Sequence, residues 1–422
     1  MRSNNKMKLK TLNLLNYKSI KECSLDFNNK SIILGANASG KSNLISSLKF
    51  INYILMYGID DAVSLMGGID NLMNINTTDD YLQIGFSLVL DNKDWYRKFD
   101  KNYDFNPIQM DYMFRLTKKK NNQFKVIFDE IKFVFSLYEN NKKKEKNGEF
   151  KQGEFSMLFT RDGRRFSANI IDNKTLFNEK DLMSEEIYKL FSYIMKDSKK
   201  ELMLNHARYI LPPIYFKNNE LFKIYDFDPK LLKTPSQITS KRNLEEDGSN
   251  IGVVLETLLK DRNNKNKLFN LLKSCLPNIQ SVEIKKNIDK SVAYQMKESY
   301  FNKPLYSQFL SDGTVSMLAL VISLYFNDKD NIIILEEPER NLHPKVIRKL
   351  VEMLNEVSKD KQIIITTHNA EIVRNSNLED IVCIKREKDG TTFINKPMNN
   401  ERVKMFLQNE LGLDDLFLDG II

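Results

Sequence analysis

Leu34-Gly35-Ala36-Asn37-Ala38-Ser39-Gly40-Lys41-Ser42-Asn43 decides how this chain is read. It holds glycine, four residues, then glycine-lysine-serine, directly after the apolar run Ser31-Ile32-Ile33-Leu34. Downstream, Leu44, Ile45, Leu48, Phe50 and Ile51 are spaced as on a partly buried helix. Strand, glycine-rich turn and helix is the context in which this Walker A spacing has a mechanism. Gly35 and Gly40 permit a tight turn whose backbone N–H groups point inward, and the helix N-terminus adds partial positive charge. Gly35, Asn37, Ala38, Ser39, Gly40, Lys41, Ser42 and Asn43 are therefore expected to cradle the phosphates of a nucleoside triphosphate. Lys41 is placed to reach the β and γ phosphates, and Ser42 to ligate Mg²⁺.

A second apolar run, Ile332 to Leu335, ends in the paired acids Glu336-Glu337. In a phosphate-loop fold the buried strand stops at the nucleotide, which puts both carboxylates beside Mg²⁺. Glu336 is expected to hold the metal, directly or through water. Glu337 is expected to orient and deprotonate the attacking water. The first acid is usually Asp; the extra methylene of Glu336 favours the water-mediated contact. Pro338-Glu339-Arg340-Asn341-Leu342-His343-Pro344 follows, and a further apolar strand then ends in Thr366-Thr367-His368-Asn369. A parallel strand beside the Glu336-Glu337 strand would bring His368 to the γ-phosphate. Its imidazole could there hydrogen-bond both the phosphate and the attacking water. Leu310-Ser311-Asp312-Gly313-Thr314 opens a helix, with Asp312 or Ser311 as its cap.

The 422 residues suffice for one large domain or two ordinary ones, and 41% hydrophobic with 28% charged residues is a globular balance. The longest apolar run, Met317 to Ile322, suits a buried helix rather than a membrane span. The first residues show no apolar signal region. Cys23, Cys275 and Cys383 are odd in number and lack metal-ligand spacing, which predicts buried thiols and a reducing, cytoplasmic setting. A net charge of +8 permits nucleic-acid binding without establishing it, because lysine and asparagine are abundant throughout.

The order Walker A, Ser-Asp-Gly turn, paired acids, histidine resembles the SMC/RecF-like ABC ATPases and spans nearly the whole chain. Leu14-Leu15-Asn16-Tyr17-Lys18-Ser19-Ile20 resembles that family's first strand, with Lys18 a phosphate or base contact. Three stretches are more similar still to the AAA-family ABC-type ATPases of bacterial antiphage systems, such as the Septu and PARIS ATPase subunits and the ATPase half of OLD nucleases. These are Gly35 to Asn43, Leu310 to Thr314 and Glu336-Glu337-Pro338-Glu339-Arg340-Asn341-Leu342-His343-Pro344. The Asp247-Gly248-Ser249-Asn250 turn resembles the same group. The resemblance implies that Leu310 to Thr314 is an ABC signature motif. Ser311 and Gly313 would then contact the γ-phosphate of a nucleotide on a second subunit, which implies an ATP-dependent homodimer or higher oligomer. It also implies an effector partner, a nuclease or toxin from a neighbouring gene. A Q-loop residue is not legible; Gln83 is a candidate by position only.

The expected fold is α/β: a P-loop NTPase head of ABC/SMC type with an antiparallel β lobe and a helical insertion. Residues 1–175 form an N-terminal ATPase lobe with Walker A and antiparallel strands. Residues 176–280 form a mainly helical insertion, and 281–422 a C-terminal ATPase lobe. Strands are expected from Lys8 to Asn16 (an edge strand), Cys23 to Phe27 and through Tyr81 to Ile171, with a flexible hairpin tip at Glu139 to Lys151. A helix is expected from Leu182, with Met183, Ile187, Leu190, Phe191, Ile194 and Met195 on one face. No heptads occur between Lys41 and Ser311, which excludes long coiled-coil arms. The residues after His368 are too few for a Toprim nuclease domain, and Asp414, Asp415 and Asp419 read as solvated. ATP and Mg²⁺ are the expected ligands, with no membrane partner and no intrinsic nuclease. A DNA-repair ATPase that binds DNA and a low-turnover nucleotide-dependent scaffold are the competing readings.

Overall fold

The computed structural model describes residues 6–77, 79–91, 97–98, 103–139, 151–163, 165–172, 189, 193, 201–207, 220–238, 243–327, 331–399 and 413. Contacts divide the chain into two units, each built from separated segments. Residues 1–27, 42–221 and 386–393 form one, and residues 28–41, 222–385 and 394–422 the other.

The second of these units is organised by five parallel strands in the order Lys223–Tyr225, Ile332–Glu336, Gln362–Thr367, Lys30–Leu34, Ile381–Arg386. Parallel strands are covered on both faces and so read as unbroken apolar runs. Every residue of Lys30–Leu34 and Gln362–Thr367 is buried, as is Ile332 to Leu335. Helix Asp312–Tyr325 is buried continuously from Thr314 to Leu324, with no polar stripe along it. Helix Pro344–Val357 buries Ile347, Leu350, Val351 and Leu354, the i, i+3, i+4, i+7 face of an amphipathic helix. These helices share one core with Ile251–Lys260 and Arg262–Cys275. A small antiparallel sheet in the same unit orders Ser236–Gln237, Ser291–Glu298 and Ile279–Lys286, with Leu305–Tyr306 also paired to Ser291–Glu298.

The other unit is an antiparallel succession: Ile20–Asp26, Lys6–Tyr17, Tyr81–Asp91, Tyr103–Lys118, Phe124–Glu139, Lys151–Asp162, Arg165–Asp172. Its strands alternate buried and partly exposed residues, as sheets with one solvated face do. Phe105, Phe133, Phe135, Phe155 and Phe159 are buried, and the Phe135 and Phe155 rings stack 5.1 Å apart. Asp129, also fully buried, accepts from Arg161 and from the Met203 N–H.

The mixed α/β fold with its parallel, phosphate-loop strands and antiparallel lobe is the one expected from sequence. One strand differs: Lys6–Tyr17 is interior, hydrogen-bonded to Ile20–Asp26 on one side and Tyr81–Asp91 on the other. Its alternation reports one solvated face and carries no information about neighbours, so the edge expectation was wrong. The short helices Ile59–Leu65 and Ile69–Leu72 and the strand Lys223–Tyr225 left too little periodicity to be read. The expected helical face from Leu182 to Met195, the lysine-rich stretch 140–150 and Asp414, Asp415 and Asp419 lie outside the described residues. Cys23, Cys275 and Cys383 are buried free thiols. Among the described residues no helix is long and apolar enough to cross a membrane.

Candidate nucleotide site

The loop from Gly35 to Gly40 leaves the buried strand Lys30–Leu34 and enters helix Lys41–Tyr57. Its backbone reverses at Ala38 (φ 62°) and Gly40 (φ 112°). A Cβ on Gly35 would lie 2.5 Å from both Ile384 O and Ser39 Oγ, so only glycine fits where strand becomes loop. Ala36, Asn37 and Ala38 are exposed, Ser39 is buried, and no acid occupies the helix's first turn. An acid-free helix start behind a reversed loop suits an anion. Ser42 is exposed, whereas the Asn43 amide donates to Ser19 Oγ at 2.7 Å.

Lys41 is buried, with Nζ donating to Gly35 O at 2.7 Å and Ala36 O at 3.1 Å. Burial lowers its pKa, against the pull of Glu337 and Glu339. Nζ lies 3.9 Å from Glu337 Oε1. The same oxygen is 3.1 Å from His368 Nδ1. Against an ionised carboxylate Nδ1 is the donor, which leaves Nε2 as the ring's other hydrogen-bonding atom. Arg340 reaches Glu337 Oε2 and Asp226 Oδ1, both at 3.3 Å. Burial pushes the Glu337 carboxyl up, but His368 and Arg340 outweigh it and hold it below the usual range.

Strand order explains this convergence. Gln362–Thr367 lies between Lys30–Leu34 and Ile332–Glu336, so the three strands deliver Lys41, Glu337 and His368 from neighbouring ends. Glu336 pairs in register with Thr366 and is partly exposed. Glu337 has φ 43°, a left-handed backbone that costs a non-glycine residue about 1–3 kcal/mol. Its N–H is held by Thr366 O at 3.0 Å and Thr366 Oγ1 at 3.2 Å.

Ser311 is the cap left open between two residues in the sequence: its Oγ accepts from Thr314 N at 3.1 Å. Asp312 instead pairs with Lys233. Gly313 packs so closely on the turn after Glu337 that a Cβ would sit 2.8 Å from Asn341 O. The Leu310–Thr314 turn thus adjoins the segment following the paired acids, while Ser311 and Asp312 stay exposed. Gln83 lies on Tyr81–Asp91 with Oε1 accepting from Arg115 at 2.8 Å. Sequence reasoning gave no role to Thr366, Thr367, Glu339, Arg340 or Asp226. Glu339 and Arg340 stood in the quoted motif, but nothing about their spacing shows that one is buried and the other bridges two acids. His343, by contrast, caps helix Pro344–Val357 through Nδ1.

A family model described as "AAA domain, putative AbiEii toxin, Type IV TA system" matches residues 125–374, more than half of the chain and the part holding Ser311, Glu336, Glu337 and His368. The chain belongs to this AAA-domain family. Among curated proteins it is similar to the uncharacterized protein MJECL43 of Methanocaldococcus jannaschii, 25% identical over 141 residues. It is also similar to the Septu protein PtuA of Bacillus thuringiensis, 22% identical over 146 residues. Each alignment takes in 30% of this chain and 37% of the relative, so the match spans little more than a third of those proteins. A solved SMC head bound to the C-winged helix domain of ScpA superposes with a TM-score of 0.50 at 13% identity, over 92% of this chain and 97% of that one. That likeness shows the fold alone: a mixed α/β fold like that of SMC heads.

Proposed function

We propose that this chain is an ATPase that dimerises around nucleotide and controls a partner effector in antiphage defence. The observation that carries the reading is the meeting of Lys41 and His368 on one oxygen of Glu337, at 3.9 and 3.1 Å. Gly35, Asn37, Ala38, Ser39, Gly40, Lys41, Ser42 and Asn43 hold the phosphates. The Gly35 cradle that a Cβ would fill and the acid-free helix start fit an anion of that kind. Ser42 and Glu336 are the residues for Mg²⁺, an ion that takes few protein ligands and completes its shell with phosphate and water oxygens. When bound, it supplies charge neutralisation at the phosphoryl group. Glu337, kept ionised by its cationic neighbours, takes the proton of the attacking water. His368 steadies the terminal phosphate and that water.

Ser311 and Gly313 act on the nucleotide of a second copy. The exposed Ser311 turn supports this, since its helix is otherwise buried. Effector control rests on the similarity to Septu PtuA, and a cytoplasmic setting on three buried thiols. In this reading residues 1–175 form an N-terminal ATPase lobe, 176–280 a mainly helical insertion and 281–422 a C-terminal ATPase lobe. The chain itself is not expected to cut nucleic acid, so plasmid and transfer RNA should stay intact with Mg²⁺, Mn²⁺ and ATP.

Phosphate release by the purified chain tests the reading, and an inert wild type under Mg²⁺–ATP removes it. The shared site is tested by mixing Ser311→Arg with Lys41→Ala. Each is expected to be inactive alone, while a mixed dimer holds one intact composite site and recovers part of the activity. Demonstrated mixed dimers without recovery argue against trans-acting Ser311.

A further inference from the structure

Glu339 stands three residues beyond Glu336, yet it faces inward: it is 5% exposed, whereas Arg340 beside it is exposed. Its Oε1 accepts from Thr367 Oγ1. Its Oε2 is buried with no hydrogen-bond partner among the described residues. Burial raises its pKa. A buried carboxyl left half-satisfied costs stability, so its retention at this point calls for a reason beyond packing.

Thr367 supplies that reason, because three motifs meet on it. Its carbonyl accepts from Gly35 N at 3.2 Å, which ties down the start of the phosphate loop. Its hydroxyl accepts from Asn369 N at 3.0 Å while donating to Glu339, which shapes the backbone on either side of His368. One residue earlier, Thr366 holds the left-handed Glu337 by its N–H. A threonine hydroxyl can donate only one proton, and the Glu339 carboxyl receives it. Without that acceptor only the Asn369 N–H orients the hydroxyl, and the register of Gly35 and His368 loses a shared anchor.

We propose that Glu339 is a positioning residue for hydrolysis. Through Thr367 it fixes His368 against Glu337 and the phosphate loop against the strand that carries His368. It touches no reacting atom. The inference rests on the ATPase reading for its kinetic consequence, but the geometry it invokes exists without turnover.

The test compares Glu339→Ala, Glu339→Gln, Thr367→Val and the double variant Glu339→Ala/Thr367→Val. Glu339→Ala and Thr367→Val are each expected to lower kcat, by about 10²-fold for a misplacement near 1 Å, with nucleotide Kd changed little. Glu339→Gln keeps the acceptor oxygen and should restore most of kcat. The double variant should be no worse than either single one, because both break the same bond. Hydrogen exchange gives a reading independent of activity: in Glu339→Ala the Gly35 and Asn369 amides, both bonded to Thr367, should exchange faster than in wild type. Wild-type kcat in Glu339→Ala, or losses that multiply in the double variant, overturn the proposal. So do unchanged exchange rates at both amides. A wild type without ATPase activity but with faster exchange in Glu339→Ala defeats the ATPase reading and leaves the anchor standing.

Discussion

The parallel and antiparallel strands bury similar side chains in different ways, and the difference locates the chemistry. In Gln362–Thr367 all six residues are buried, so nothing can bind on either face and polar groups gather only where the strand stops. Lys6–Tyr17 alternates and leaves half its residues at least partly exposed. A sheet sealed on both faces offers its ends to a ligand; a half-open sheet offers surface. Variants at the strand ends should therefore change turnover with little effect on folding, and variants inside the antiparallel strands should do the reverse.

Glu337→Gln tests the first half of that contrast most severely. It should lower the hydrolysis rate by roughly 10²–10⁴-fold while ATP binding and melting temperature stay close to wild type. Full-speed hydrolysis would move the base to another group. Lys41→Ala should come next, weakening ATP binding by about 2–5 kcal/mol as a buried charged contact is lost. Calorimetry showing wild-type affinity would remove the phosphate-loop assignment. For the other half, Phe133→Ala empties a buried aromatic position and should destabilise by about 3–5 kcal/mol. Denaturant unfolding measures that loss, and nucleotide affinity at low temperature should be kept by the folded fraction.

Arg340→Ala sharpens the comparison with the smallest effect. Arg340 helps hold the Glu337 carboxyl below its ordinary pKa. Removing it raises that pKa, and a base must be ionised to act, so the acid limb of the pH–rate profile should move to higher pH. A limb that stays in place would show that Arg340 does not set the charge of Glu337.

The sequence was most legible where one face or one spacing decides the outcome. The phosphate loop, the paired acids and the strand before His368 all follow unbroken apolar runs, and those runs became the buried parallel strands. Legibility failed where the deciding fact was a distant neighbour. Lys6–Tyr17 looks like an edge because alternation is blind to hydrogen-bonded strands on either side. Glu339 looks like one more surface acid until Thr367 is placed against it. Asp226 gains its role only because Arg340 reaches it from more than a hundred positions away.

The strand that launches the phosphate loop has a further consequence for how the protein is made. Lys30–Leu34 pairs with Gln362–Thr367 and Ile381–Arg386, and Gln362 Nε2 reaches back to Asn28 O across 334 positions. A ribosome adding about 5–20 residues per second needs roughly 15–70 s to supply those partners. During that interval the apolar Ser31-Ile32-Ile33-Leu34 segment is without the strands it pairs with in the fold. A chain that stops before Gln362 lacks both strands that flank Lys30–Leu34 in the fold. Codon changes that slow synthesis between Lys41 and Gln362 should cost soluble yield more than the same delay placed after Arg386.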